Sequence, residues 1–157
     1  MGTQRNVIAQ INWAAFIALG LLVVTASDAA AQAPTVKQVF EKYDLIGVFG
    51  VDCSKPASKQ NLYHVHRVVD DGHVQADQMS SATDRDFMMM IDQIVDTKPN
   101  AVTVSGTIDN QRYRLTLSLD GKRKRTMEMV REPNQTVIKD GKRVNRNEEL
   151  PWHTKCS

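Results

Sequence analysis

The sequence carries little net charge and lacks the short motifs of the common enzyme classes. It has 20 Lys and Arg residues against 18 Asp and Glu residues, a net charge of +2 at pH 7. A general attraction to nucleic acids is therefore not expected. The motifs G-x-S-x-G and H-E-x-x-H and a glycine-rich phosphate loop are all missing. We predict a protein that is not an enzyme and needs no cofactor.

No apolar run is long enough to cross a bilayer comfortably. The longest, at residues 11–25, follows Arg5 and leads into small residues ending in Ala-Ala-Ala-Gln-Ala at 29–33. This layout predicts a secretory signal peptide over residues 1–31, with an uncleaved anchor as the alternative. The mature chain, residues 32–157, is then a single periplasmic or secreted domain with no stable membrane span.

Cysteine is scarce, since Cys53 and Cys156 are the only two. In an exported protein, an even number of cysteines predicts a disulfide bond. The bond would fasten the C-terminal tail beside the end of the first strand. Because no cysteine directly follows the apolar N-terminal run, a lipoprotein anchor is not expected.

The clearest pattern that the sequence does contain is the strict apolar and polar alternation in residues 101–119. A period of two is typical of strands with one buried face. If residues 109–110 form a two-residue turn, Val104 faces Leu115 and every apolar residue lies on one face. A shift of one residue would place one strand's apolar set in water, so turn length and pattern support the same register.

The rest of the mature chain reads as short strands joined by tight turns. Asp-Gly pairs at 71–72 and 140–141 predict two further hairpins. Residues 87–95 fit a helix or a strand, and we favour a strand because strands are predicted on both sides. The other expected elements are a short helix at 35–43, a first strand at 45–51, and strands at 62–69, 74–80, 123–131, 135–139 and 143 onward.

About eight strands in series predict an all-β fold, an eight-stranded up-and-down antiparallel β-barrel with a short N-terminal helix. Closing the sheet removes its exposed edges. A β-sandwich is the alternative. The Gly47-Val48-Phe49 segment in the first strand resembles the Gly-x-Trp motif of lipocalin-like barrels, with Phe49 at the tryptophan position. The chain is also similar to small exported proteins of Gram-negative bacteria, including periplasmic barrels that inhibit proteases or lysozymes.

Two hairpin registers predict which side chains face inward. Pairing Asp70 with His73 buries an apolar face and leaves His64 and His66 on the polar face, with Asp77 opposite His66. These three are a weak metal-site candidate, and a solvated face is the simpler interpretation. The apolar face would comprise Tyr63, Val65, Val69, Val74 and Ala76.

For the turn after Leu119, we prefer a three-residue loop that aligns Tyr113 with Met127 over a two-residue turn that sets Leu117 against Lys124. The three-residue loop places Arg123 and Arg125 on the face of the inward leucines. An inward arginine there could meet an anionic ligand.

Two functions remain open at this stage. The first is a non-enzymatic barrel that binds a small apolar or amphipathic ligand. Its predicted lining residues are Phe49, Tyr113, Leu115, Leu117 and Met127. The second is a periplasmic interaction protein, such as an inhibitor of an exported protease or lysozyme, that acts through a loop at residues 53–61. A cavity of a few hundred cubic ångströms would favour the first.

Overall fold

The computed structural model describes residues 33–156, so the predicted signal peptide lies outside the described residues. Within these residues, no helix is long and apolar enough to span a membrane. This part of the chain has one helix, α1 (Val36–Lys42). Its strands are β1 (Gly47–Gly50), β2 (Tyr63–Val68), β3 (Val74–Met79), β4 (Arg85–Lys98), β5 (Ala101–Ile108), β6 (Gln111–Asp120), β7 (Arg123–Arg131), β8 (Gln135–Lys139), β9 (Lys142–Arg143), β10 (Glu148–Glu149) and β11 (His153–Lys155).

The predicted eight-stranded antiparallel barrel is confirmed. Strands β1 to β7 pair in sequence order, and β11 closes the ring between β7 and β1. The 135–143 hairpin, which we counted among the barrel strands, lies outside the ring instead. Strand β7 pairs with β11 through Arg123 and Lys124, and with β8 through Met129–Arg131. Strands β8 to β10 therefore extend the sheet beyond the ring.

The predicted N-terminal helix closes one end of the barrel. Thr35 caps α1 in a reciprocal capping box with Gln38, which satisfies backbone donors at the helix start. The buried face of the helix, with Phe40 fully enclosed, belongs to the main core cluster together with Leu45 and Phe49. We call this end of the barrel the closed end.

The opposite end is the mouth. In an antiparallel ring, the β2–β3, β4–β5 and β6–β7 turns share one end. The salt bridge of Lys37 with Asp71 and the hydrogen bond from Tyr43 Oη to the Lys98 carbonyl connect α1 to these turns, so they lie at the closed end. The β3–β4 turn and the loop at residues 51–62 lie at the mouth.

The hairpin of β5 and β6 has the predicted register. Val104 faces Leu115, Val102 faces Leu117, and the turn residues Asp109 and Asn110 have φ angles of 47° and 63°. Positive φ at both central positions is what a two-residue hairpin turn of this kind requires.

The hairpin of β2 and β3 is shifted by one residue from the prediction. His66 faces Ala76 and His64 faces Gln78, so Asp77 is not opposite His66. The predicted buried face was wrong for β2, because a one-residue shift exchanges the two faces of a strand. Val69 is 55% exposed, whereas His66 is buried.

Both registers considered for the turn after Leu119 were also wrong. The turn residues are Gly121 and Lys122, so Leu119 faces Lys124 and Leu117 faces Thr126. A bulge near Met127 then shifts the pairing by one, and Tyr113 faces Arg131 instead of Met127. The inward cation is therefore Lys124, not Arg123 or Arg125.

The predicted strand at 87–95 is confirmed as part of β4, which is bent by two bulges opposite β5. At one of them the backbones approach so closely that a Cβ on Gly106 would lie 2.2 Å from the Met90 carbonyl oxygen. Glycine is the residue that permits such an approach.

The disulfide between Cys53 and Cys156 is confirmed, with the two Cα atoms 5.4 Å apart. As predicted, it fastens the tail beside the first strand, where Cys156 N donates to the Val48 carbonyl. The bond therefore secures the short strand β11 that closes the barrel.

Candidate functional site

The barrel encloses a cavity of about 470 Å³ that opens towards the mouth. Most of its wall is apolar, and the apolar side chains come from facing parts of the sheet. They are Ala76 on β3, Phe87, Met89 and Ile91 on β4, Leu115 and Leu117 on β6, and Met129 on β7. A wall of this composition suits an apolar group of small-molecule size.

Two of the five predicted lining residues, Leu115 and Leu117, do line the cavity. Phe49 lies beneath it in the core, with its ring 5.5 Å from the His66 ring. Tyr113 packs against the core cluster, and Met127 sits at the β7 bulge. The latter three are not among the described residues that line the cavity.

The polar part of the cavity wall centres on Lys124, a residue that is only 3% exposed. Its Nζ atom lies 3.2 Å from His64 Nδ1 and 3.1 Å from His66 Nε2. It also lies 4.9 Å from the centre of the Phe49 ring, a cation–π distance. A lysine of β7 thus meets two histidines of β2 across β11 and β1.

Hydrogen bonding fixes the tautomer of His66. Its Nδ1 lies 2.7 Å from the Leu45 carbonyl oxygen, which can only accept, so Nδ1 carries the proton. Nε2 then has a free lone pair and accepts from the Lys124 ammonium group. The polar cluster is therefore built from neutral imidazoles around one amine.

A third histidine, His153, joins this cluster from β11. Its ring stacks on that of His64, with the ring centres 4.1 Å apart and an interplanar angle of 18°. His153 is buried, and its Nε2 atom has no hydrogen-bond partner among the described residues. A buried polar atom left without a partner is unfavourable by about 1–3 kcal/mol.

The basicity of all four groups is depressed. Burial lowers the pKa of Lys124 from 10.5 to about 7. Burial, and then the Lys124 charge, lower the pKa of His153 to about 4. The same two causes hold the pKa values of His64 and His66 well below 6.5. His64 retains some solvent-accessible surface, but that surface faces the cavity inside the barrel, so burial still lowers the pKa of His64.

No carboxylate offsets the charge of Lys124, which forms no ion pair within residues 33–156. Charged side chains line the cavity nearer the mouth, where Arg143 Nε lies 3.7 Å from Glu148 Oε2 and Lys59 projects from the loop. The inner part of the cavity is therefore cationic or neutral.

The weak metal candidate of His64, His66 and Asp77 is not brought together. Asp77 borders the cavity, but it pairs with Val65 and Met88, so its carboxylate lies on the outer face of the sheet. There it binds Arg67 Nη2 at 3.1 Å. Within the described part of the chain, no group of three His, Cys, Asp or Glu residues is arranged to hold a metal. The predicted solvated face was also wrong for the two histidines, which point inward.

The loop at residues 51–62 is folded against the mouth. Asn61 is buried and donates from Nδ2 to the carbonyls of Asp52, Lys55 and Pro56. Lys59 and Gln60 of this loop line the cavity. The loop thus contributes to the cavity wall.

Sequence reasoning missed Lys124 and His153 as site residues. An inward cation on the strand after Leu119 was anticipated, but the wrong turn length assigned it to Arg123 and Arg125. His153 lies in a tail without alternation, and nothing local indicates that this tail closes the barrel. Comparisons with protein-family models, curated proteins and solved structures find no match to this chain.

Proposed function

We propose that this protein is an exported, non-enzymatic barrel that binds a small apolar or amphipathic ligand in its interior. The observation that supports it best is the 470 Å³ cavity with an apolar wall and a mouth at one end. Ligand sites commonly measure about 300–1,000 Å³ and place a few polar groups in a mostly apolar lining. The lipocalin-like order of elements and the predicted signal peptide agree with this role.

A fluorescence titration tests the proposal. The neutral dye N-phenyl-1-naphthylamine brightens in apolar surroundings, and we expect it to bind the protein with saturation at one site. Ala76→Phe fills the cavity, because Ala76 lines it between larger side chains. The affinity of this variant for the dye should be lower by about tenfold or more. Ala82→Phe is the matched control, since Ala82 is exposed in the β3–β4 turn.

The control should bind as the wild type does. The proposal fails if the wild type does not bind the dye, or if both phenylalanine variants bind it equally well. Circular dichroism of each variant establishes that the barrel is folded before the titrations are compared.

The alternative, an inhibitor of an exported hydrolase acting through residues 53–61, has less support. Such a loop would be expected to project from a filled barrel. Here Asn61 folds the loop back on itself, Lys59 and Gln60 line the cavity, and the interior is open.

A further inference from the structure

Lys124 is a buried cation with neutral neighbours on every element packed against it. These are His64 and His66 from β2, His153 from β11, Phe49 from β1, and Leu119, its partner on β6. Lys59, Asp77, Arg143 and Glu148 also line the cavity, but the Asp77 carboxylate binds Arg67 on the outer side of the sheet, and Glu148 pairs with Arg143. A buried charge is normally paired. The missing partner of Lys124 is an anion that the described residues do not supply.

From this geometry we infer that the ligand is an amphipathic monoanion whose carboxylate binds Lys124 Nζ near the closed end, with its apolar tail directed to the mouth. This inference rests on the proposed ligand-binding function and specifies the class of ligand. It commits to one negative charge, because only one cation lies in the inner part of the cavity.

The donor count at Lys124 supports a ligand there. An ammonium group has three N–H donors. Two are accepted by His64 Nδ1 and His66 Nε2, and Nζ has no third hydrogen-bond partner among the described residues. Lys124 also lines the cavity. One charged donor is thus free to bind an acceptor that enters the cavity.

His153 provides the second observation. Its Nε2 atom is buried without a partner, although its ring stacks within the same cluster. His153 stays neutral, and a carboxylate bound to Lys124 would offset the unfavourable effect of the Lys124 charge on this imidazole. One anionic head group would therefore satisfy the free Lys124 donor and neutralise the charge next to His153.

The direction of the ligand follows from the topology. Lys124 is the second residue after the β6–β7 turn, which lies at the closed end. Phe87, Leu115 and Met129 line the cavity and lie on strand segments nearer the mouth. A head group at Lys124 consequently leaves an apolar tail in contact with these side chains.

Displacement of bound N-phenyl-1-naphthylamine by decanoate and by 1-decanol tests the inference. The two competitors share a tail and differ in the charge of the head group. At pH 6 we expect decanoate to bind about tenfold more tightly than decanol, as charge-assisted hydrogen bonds imply. Lys124→Met should bind the two equally, while Lys122→Met, a change in the exposed neighbouring turn, should keep the wild-type preference.

The pH dependence of decanoate binding is a second test, because a purely structural role of Lys124 would not produce it. Free Lys124 loses its proton above about pH 7, so decanoate binding must restore that proton at higher pH. The dissociation constant of decanoate should rise roughly tenfold per pH unit above pH 7. Decanol binding, and decanoate binding to Lys124→Met, should stay flat over the same range.

The outcomes separate this inference from the proposed function. If the dye does not bind at all, the proposed function fails. If the dye binds but wild type treats decanoate and decanol alike, or Lys124→Met keeps the preference for decanoate, only the assignment of the head group is wrong. Dye binding by Lys124→Met shows in the same experiment that the variant is folded.

Discussion

The Nζ atom of Lys124 lies 3.1 Å from His66 Nε2, and no carboxylate of residues 33–156 pairs with either group. Lysine is almost never fully buried without a partner. A side chain that is unfavourable for folding, and whose charge faces a cavity, is typical of a functional position where stability is lower than it could be.

The first prediction concerns the stability cost of Lys124. Lowering its pKa from 10.5 to about 7 disfavours folding by about 4 kcal/mol at pH 7. Lys124→Met removes that penalty but deprives His64 and His66 of a donor. We expect the variant to be roughly 1–3 kcal/mol more stable than wild type at pH 7, measured by urea denaturation.

The pH dependence of this stability difference tests whether the lowered pKa of Lys124 causes it. Between pH 7 and 10.5 the unfolded chain holds a proton on Lys124 that the folded chain releases, so wild-type stability rises with pH. The advantage of Lys124→Met should therefore shrink as pH rises through this window. An advantage that stays constant up to pH 10 would show that folding does not lower the pKa of Lys124.

The second prediction concerns acid sensitivity at His153. Its pKa is about 4 in the folded protein, against 6.5 for an ordinary histidine. As pH falls from 6.5 to 4, the unfolded chain takes up this proton first, and the folded state loses up to roughly 3 kcal/mol. His153→Phe keeps a ring for stacking on His64 and cannot take up the proton.

This variant should match wild type within about 1 kcal/mol at pH 7.5 and be more stable at pH 5, in denaturant titrations at both values. If wild type and variant show parallel pH profiles, His153 is not protected from protonation in the folded state.

The third prediction concerns the disulfide. Cys53 and Cys156 are 103 residues apart, so replacing both by alanine should lower the free energy of unfolding by up to roughly 4 kcal/mol. Reductant should bring wild type to the stability of the double variant and leave that variant unchanged. Equal stability of all samples would mean that β11 holds its place through hydrogen bonds alone.

The fourth prediction concerns the close approach of β4 and β5. Gly106→Ala would put a methyl group 2.2 Å from the Met90 carbonyl oxygen, so a strand must move. We expect a loss of about 2 kcal/mol or more in urea denaturation. Gly72→Ala is the control, because its added Cβ meets nothing nearer than an Asp70 oxygen at 3.5 Å. It should change stability by less than about 0.5 kcal/mol.

The fifth prediction concerns Asp77 on the outer face. Its carboxylate is 1% exposed and binds Arg67 Nη2 at 3.1 Å and Gln75 Nε2 at 2.9 Å. Asp77→Ala should lower stability by about 1–3 kcal/mol, because its partners lose a buried acceptor. Asp84→Ala, at an exposed turn residue, should be close to neutral. Ligand binding should survive both changes, and its loss in Asp77→Ala would place the carboxylate in the site after all.

The fold could be predicted from the sequence where the turn length and the apolar pattern of the flanking strands indicate the same strand register. Asp109 and Asn110 set both the turn type and the register of β5 and β6. At Asp71-Gly72 the predicted pairing of Asp70 with His73 forms through reciprocal backbone hydrogen bonds, but Val69 N also donates to the His73 carbonyl, so the register beyond the turn is shifted by one residue. An extra residue of this kind, as in a β-bulge, exchanges the faces of the strand beyond it, and strand periodicity does not reveal it.

The candidate site was harder to predict because its members meet only through long-range pairing. Leu115 and Leu117 followed from local alternation. Lys124 needed the correct length of the β6–β7 turn, and His153 needed the knowledge that a three-residue tail strand closes the ring. Both depend on contacts between distant parts of the chain, which one sequence does not specify.

Strand β7 has a last consequence for the length of ligand that the barrel accepts. It pairs with β11 near its start and with β8 near its end, and between them residues 125–128 have no strand partner on that side. The turn between β8 and β9 covers this stretch, since Gly141 N donates to the Met127 carbonyl oxygen, and Ile138 and Leu150 continue the cavity wall. Because this part of the wall is covered, a tail too long for the interior has to leave through the mouth, and in a series of lengthening chains we expect affinity to level off once the tail reaches the mouth.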